Sequence, residues 1–302
     1  MQLITPVAFL VFNRPECTAR VLEEIRHAKP LKLFVVADGP RPEQADDYRK
    51  CEAVRKIIEE RIDWRCDVYK NYADVNMGCA QRVSTGLKWF FDQVEEGIVL
   101  EDDCLPSPTF FDFCQDLLSR YRLDYRVGQI SGTPFISERI RCTTSYIFSR
   151  YGPIWGWASW RRAWEYYDLT LKNWPMAKSL HCLDSFSLSV HEKRVRNLIY
   201  ERLYQGDLFT WDYQWGYAKL TQSLLSIIPT VNLVENLGFG EEGTHTKSVP
   251  KTGYRRQVMR FPLVHPAFVL SDQQFDLDYS KSMAPSRLAR LLRGVKRLGG
   301  RK

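Results

Sequence analysis

The chain has 302 residues, 44% of them hydrophobic and 26% charged. That composition, with no low-complexity tract, excludes a disordered or fibrous protein and is enough for a substantial core. The net charge of +7 is carried by the last 17 residues, SRLARLLRGVKRLGGRK (286–302), so the rest sums to zero and lacks the basic excess of a nucleic-acid-binding protein. In chain order, PVAFLVF (6–12) predicts a strand rather than a signal peptide, because it is short and has no basic flank. A helix is predicted over 17–28, a strand over 31–39, a helix over 43–61, a strand over 66–72 and a helix over 80–94. A strand GIVLE, a helix over 108–121 and a strand VGQISG (127–132) follow. Strands separated by helices of this length predict an α/β fold with a mainly parallel sheet. From 136 to 285 the chain is aromatic, proline-punctuated and irregular, with YGPIWGWASWRRAW (151–164), NWP and FTWDYQW. No linker separates it from residues 1–135, so 1–285 is expected to form one domain whose second half adds the acceptor side of a cleft.

Ligands of such sheets bind beyond the carboxyl ends of the strands, and polar residues collect there. The first predicted strand ends in Asn13–Arg14–Pro15, the second in Asp38–Gly39 and the fourth in Glu101–Asp102–Asp103. No GxGxxG follows the first strand and no GxxxxGK[ST] occurs, which argues against dinucleotide and P-loop sites. Three adjacent carboxylates repel one another. Strand alternation puts Glu101 and Asp103 on one side and Asp102 on the other. A hard cation such as Mg2+ or Mn2+, bridging to phosphate, would relieve the repulsion. Capping of the helix near Ser107, or pairing with arginine, is the open alternative.

Other residues carry two readings each. Asp212, between Trp211 and Trp215, is placed among apolar groups like a general base, or caps the helix that follows. Glu165 and Asp168 are second choices for the same task. Trp155, Trp157 and Trp160 are core or sugar-stacking platforms. His245, in NLGFGEEGTHT after a glycine-rich stretch, is a metal or phosphate partner or a surface histidine. Asn76 and Gly78 form a turn, and Arg82 is within reach of a phosphate. Eight cysteines, with no CxxC pair and no zinc-like spacing, read as reduced cytosolic thiols. The 286–302 tail has Leu288, Leu291, Leu292, Val295 and Leu298 at helical spacing, which suits an anionic membrane surface or a frayed terminus.

IVLEDDCLPSPTFFDFCQDLL resembles the metal-binding segment of GT-A glycosyltransferases, especially that of N-acetylglucosaminyltransferase I. VFNRP and VADGP are similar to that family's first two strand ends, and IWGWASWRRAW, NWP and WDYQW to its acceptor segments. NLGFGEEGTHT resembles a segment of bacterial surface-polysaccharide glycosyltransferases. The resemblance implies a GT-A type, Rossmann-like αβα sandwich. It implies Arg14 and Asp38 as nucleotide contacts, Glu101, Asp102, Asp103 and Trp157 around the nucleotide sugar, Asp103 with His245 on a divalent Mn2+ or Mg2+, and Asp212 as base. The expected function is metal-dependent, inverting transfer of a sugar from a nucleotide-diphosphate donor, UDP-sugar favoured, to an acceptor hydroxyl. The expected acceptor is a glycan or lipid-linked chain in polysaccharide synthesis, and the expected place is the cytosol, peripheral on the inner face of the membrane. A sugar nucleotidyltransferase and a non-catalytic carbohydrate-binding protein are the alternatives.

Overall fold

The computed structural model describes residues 2–136, 140, 142–238 and 255–282. His245, Glu241, Glu242 and the basic tail at 286–302 lie outside these residues.

The first half follows the predicted alternation closely. Its elements are β1 (Val7–Val11), α1 (Pro15–Ala28), β2 (Lys32–Ala37), α2 (Asp47–Arg61), β3 (Asp67–Tyr72), α3 (Cys79–Gln93), β4 (Glu96–Glu101), β5 (Cys104–Pro106), α4 (Pro108–Arg120) and β6 (Val127–Ser131). Local chemistry sets the boundaries. Pro15 opens α1 with its φ already helical and no N–H to lose, and Lys29 closes it in the left-handed region at φ 51°. Ser107 caps α4 by accepting from the Thr109 N–H, with Pro108 at the first helical position. The three carboxylates just before it therefore take no part in capping.

The second half contains β7 (Tyr146–Ser149), β8 (Trp157–Trp160), α5 (Arg161–Trp164), α6 (Trp174–Ser179), α7 (Leu183–Phe186), α8 (Val190–Tyr204), α9 (Asp212–Thr221), β9 (Leu225–Pro229) and β10 (Val234–Asn236). This half is less irregular than its proline-punctuated sequence predicts: α8 has 15 residues, as long as α2 and α3, and three of its strands enter the main sheet. Among the described residues that sheet has eight strands in the order β3-β2-β1-β4-β8-β6-β9-β7. The pairs β3–β2, β2–β1, β1–β4 and β6–β9 are parallel, and β8 and β7 run against their neighbours. β10 pairs separately with β5.

Strand alternation divides the core into two layers. Val7, Phe9 and Val11 of β1, with Leu33 and Val35 of β2, pack on α1, α2 and α4. Ala8, Leu10, Phe34 and Val36 face the opposite way, onto α3 and a tryptophan cluster of Trp157, Trp164, Trp211 and Trp215. Helices on both faces of a mainly parallel sheet make a Rossmann-like αβα sandwich. α6 to α9 enclose a smaller core of their own around Trp174, Tyr200 and Tyr217. All eight cysteines are free thiols. Among the described residues no helix is long and apolar enough to cross a membrane.

Candidate active site at the ends of strands one and four

The strand order reverses between β1 and β4. β1 is followed by β2 and β3 on one side, and the chain resumes with β4 on the other. A crevice opens at the carboxyl ends of the strands at such a switch point. Arg14 follows β1, and Glu101 to Asp103 end β4, so these residues flank that crevice. A cavity of about 510 Å³ lies here, lined at this end by Arg14, Cys79, Glu101, Asp103 and Asp212. Its size is that of small-molecule sites in general.

The alternation expected of the acidic triplet is observed. Glu101 and Asp103 line the cavity, whereas Asp102 turns back into the protein. Asp102 accepts the Phe12 N–H at 3.1 Å and pairs with Arg14 at 3.3 Å. Arg14 also donates to Asp103 at 2.7 Å, so one guanidinium bridges two carboxylates across the switch point. Burial disfavours charge on Arg14, but Asp102 and Asp103 outweigh it and raise its hold on the proton. Burial, then Asp103, push the Asp102 carboxyl up to about 7, against the opposing pull of Arg14. Burial, then Asp103, Asp102 and Asp212, hold Glu101 well above the usual carboxylate range.

Asp103 receives a second loop from the far end of the chain. Its backbone carbonyl accepts the Leu237 N–H at 2.7 Å, and Asn236 Nδ2 approaches its carboxylate at 3.4 Å. A Cβ at Gly238 would stand 2.3 Å from Asp103 Oδ2, so a larger residue there would have to displace the Asp103 carboxylate.

Asp212 is the first helical residue of α9, not its cap, and its carboxylate accepts from the Thr210 hydroxyl. Buried Trp211 and Trp215 flank it, supplying the apolar surroundings that its sequence context predicts. It is close enough to Glu101 to oppose that residue's ionisation. Glu165 is exposed at the end of α5, and Asp168 is committed to its own turn through Thr170 and Lys172. Neither lines the cavity.

Three other sequence expectations change. Trp157 is fully buried, with its ring centre 6.0 Å or less from those of Trp164, Trp211 and Trp215, so it cannot stack on a sugar. Gly156 bends the chain sharply at φ +58°, and that bend turns Trp157 inward and leaves Trp155 on the cavity wall. Asp38 is buried and does not line the cavity. It accepts the Gly39 and Met77 N–H groups at 2.9 Å and Asn76 Nδ2 at 3.0 Å, which fastens the turn before α3. Arg82 likewise serves the fold, donating to Ala37 and Asn71 rather than facing a phosphate.

Sequence reasoning missed a second polar group on the cavity wall. Glu192 is its hub, accepting from Tyr151 at 2.7 Å, Arg196 at 2.7 Å and Ser280 at 2.9 Å. Burial opposes its ionisation, and Arg196 and Tyr151 outweigh it, so its carboxyl lies below the usual range. The i, i+4 spacing of Glu192 and Arg196 on α8 was the available signal, but such pairs are common on exposed helices. Lys219 lines the cavity yet is buried against Gln129 and Ser226, and burial pulls its amine down to about 7.

The donor chemistry fits a hard divalent cation. Glu101, Asp103 and Asp212 are oxygen donors facing one space, and the Glu101 carboxylate makes no hydrogen bond or ion pair among the described residues. Among those residues no three such side chains converge into a preformed ion cage. None is required, since Mg2+-like ions are usually held by one or two carboxylates plus phosphate and water.

No protein-family model matches the chain, and no curated protein matches its sequence. Similar solved structures include a mannosyltransferase from Pyrobaculum calidifontis in complex with GDP-Man and Mn2+, at 14% identity and a TM-score of 0.40, covering 72% of this chain and 69% of that one. A UDP-glucose pyrophosphorylase complexed with UDP-glucose is 12% identical over 54% of this chain and 78% of its own, with a TM-score of 0.32. A 4-diphosphocytidyl-2C-methyl-D-erythritol synthase from Anaerococcus prevotii is 11% identical over 67% and 84%, with a TM-score of 0.33. These likenesses are distant, and the functional reading rests on the residues of the cavity.

Proposed function

We propose that this protein is a GT-A type glycosyltransferase that moves a sugar from a nucleotide-diphosphate donor, UDP-sugar favoured, to an acceptor hydroxyl with inversion. One observation carries the reading: Asp212 shares a cavity with Glu101 and Asp103 at the switch point of the sheet. Asp103, with Glu101 beside it, would hold Mn2+ or Mg2+, which supplies neutralisation of the charge that develops on a departing diphosphate. Arg14 fixes Asp103 in place and adds positive charge at the same edge. Asp102 holds Arg14 from behind and leaves the metal-side oxygens to Asp103. Asp212 takes the proton of the acceptor hydroxyl as that oxygen attacks the anomeric carbon. A base on the acceptor side needs no enzyme-bound sugar, which is why inversion follows. Trp155, half-buried on the cavity wall, offers a flat apolar face for an acceptor glycan.

A sugar nucleotidyltransferase would use the same sheet and acids but has no need of a base facing an acceptor. Product analysis separates the two. Incubation with nucleotide sugars, Mn2+ and a panel of glycan acceptors is expected to release nucleoside diphosphate only with acceptor present, and to give a glycoside of inverted configuration. Pyrophosphate from a nucleoside triphosphate and a sugar 1-phosphate would instead identify the nucleotidyltransferase. Glycan binding with neither product would identify a carbohydrate-binding protein.

A further inference from the structure

We propose that residues 255–271 form a docking surface for an anionic phospholipid bilayer. This stretch runs outside α4 as an extended strap. The Met259 N–H donates to Thr109 Oγ1 at 2.9 Å near the start of α4. The Val264 N–H donates to Ser145 Oγ at 2.9 Å, and His265 Nδ1 meets Tyr146 Oη at 2.9 Å. Ser271 then bridges to Phe148 on the edge strand β7. Met259 and Leu263 are buried in the larger core and pin the strap down. The side chains between these anchors turn outward. Val258 is 66% exposed, Phe261 43%, Val264 53%, Phe268 73% and Leu270 71%. Five large apolar groups are thus exposed within thirteen residues of a pinned backbone, a density of the kind that marks an interaction surface.

Charge selects the partner. Residues 255–271 contain Arg255, Arg256 and Arg260 and no acid. Arg256 is paired with Glu24, whereas Arg255 and Arg260 are exposed. Exposed Arg120 ends α4 close to His265, with exposed Asp116 one turn before it. The sequence from 286 to 302 adds seven basic residues and no acid. Strap and tail thus carry the same sign, so the tail is a poor cover for the strap, and an anionic surface complements both. Phe and Leu side chains would enter the headgroup boundary while the arginines reach phosphate oxygens.

The full chain is sedimented with vesicles of phosphatidylcholine alone and of phosphatidylcholine with phosphatidylglycerol. Partition is expected only into the anionic vesicles. The triple variant Phe261→Ser, Phe268→Ser, Leu270→Ser is expected to lower it about ten-fold, a factor worth ~1.4 kcal/mol, with an unchanged melting curve. Should that variant not fold, Arg255→Glu with Arg260→Glu tests the same surface, with the same loss expected. Chains ending at residue 282 are expected to keep the strap-dependent part of the binding. Failure of the parent chain to bind anionic vesicles overturns the proposal, as does normal partition of the strap variants. Self-association of the parent that the triple variant abolishes would assign the strap to a second copy of the chain and also overturns it. None of these outcomes depends on the identity of the donor or acceptor.

Discussion

Asp212→Asn is expected to lower turnover by about 10²–10⁴-fold, the range for removal of a positioned general base. The substitution keeps the shape of the side chain and an oxygen for the Thr210 hydroxyl, so α9 and the cavity wall should stay in place. Nucleotide affinity should be nearly unchanged, because the proton transfer belongs to the acceptor side. The expected signature is therefore a fall in kcat with little change in donor KM. Steady-state kinetics with donor varied at saturating acceptor measure it. Turnover within a few-fold of the parent would place the base elsewhere. Among the described residues Glu101 is then the next candidate, a carboxylate on the same cavity already held above its ordinary range.

Trp157→Ala should act on stability instead. Trp157 is fully buried between the sheet and the tryptophan cluster, and its indole N–H has no hydrogen-bond partner among the described residues. Its loss is thus a loss of packing, worth ~3–5 kcal/mol for a large aromatic truncated in a core. That is a large share of the ~5–15 kcal/mol stability of a typical domain. A lower urea midpoint with an unchanged slope would report it. Donor affinity of the folded protein should stay within a few-fold of the parent. Unchanged stability with lost donor affinity would restore Trp157 as a sugar platform.

That variant also marks where sequence stops being informative. The first half was legible because its elements are locally determined. Apolar runs of strand length alternate with amphipathic helices, and Pro15, Ser107 and Pro108 punctuate them. The neighbouring positions of Arg14 and the acidic triplet followed from the βαβ order, since parallel strands bring their carboxyl ends to one edge. Side-chain direction within an aromatic turn was not legible. Trp155 and Trp157 are two residues apart in the same motif, and one backbone bend at Gly156 decides which faces the cavity. Asp38 looks free at a strand end in the sequence, but residues 76 and 77 return to it from a distant turn. The Glu192 hub joins residues 151, 192, 196 and 280, a convergence that only the folded chain creates.

In the proposed reaction the acids at the end of β4 receive a diphosphate together with a cation. A thermal-shift panel of UDP, GDP, CDP and dTDP, each with and without Mn2+, tests it most directly when run beside Asp103→Asn. Ligand at about a hundred times its dissociation constant adds ~2.7 kcal/mol to the folded state. For a chain of this size that moves the melting midpoint by several degrees. Such a shift is expected with one nucleotide, UDP first, only when Mn2+ is present, and is expected to be lost in Asp103→Asn. A shift that needs no metal, a shift that survives Asp103→Asn, or no shift with any pair would contradict it.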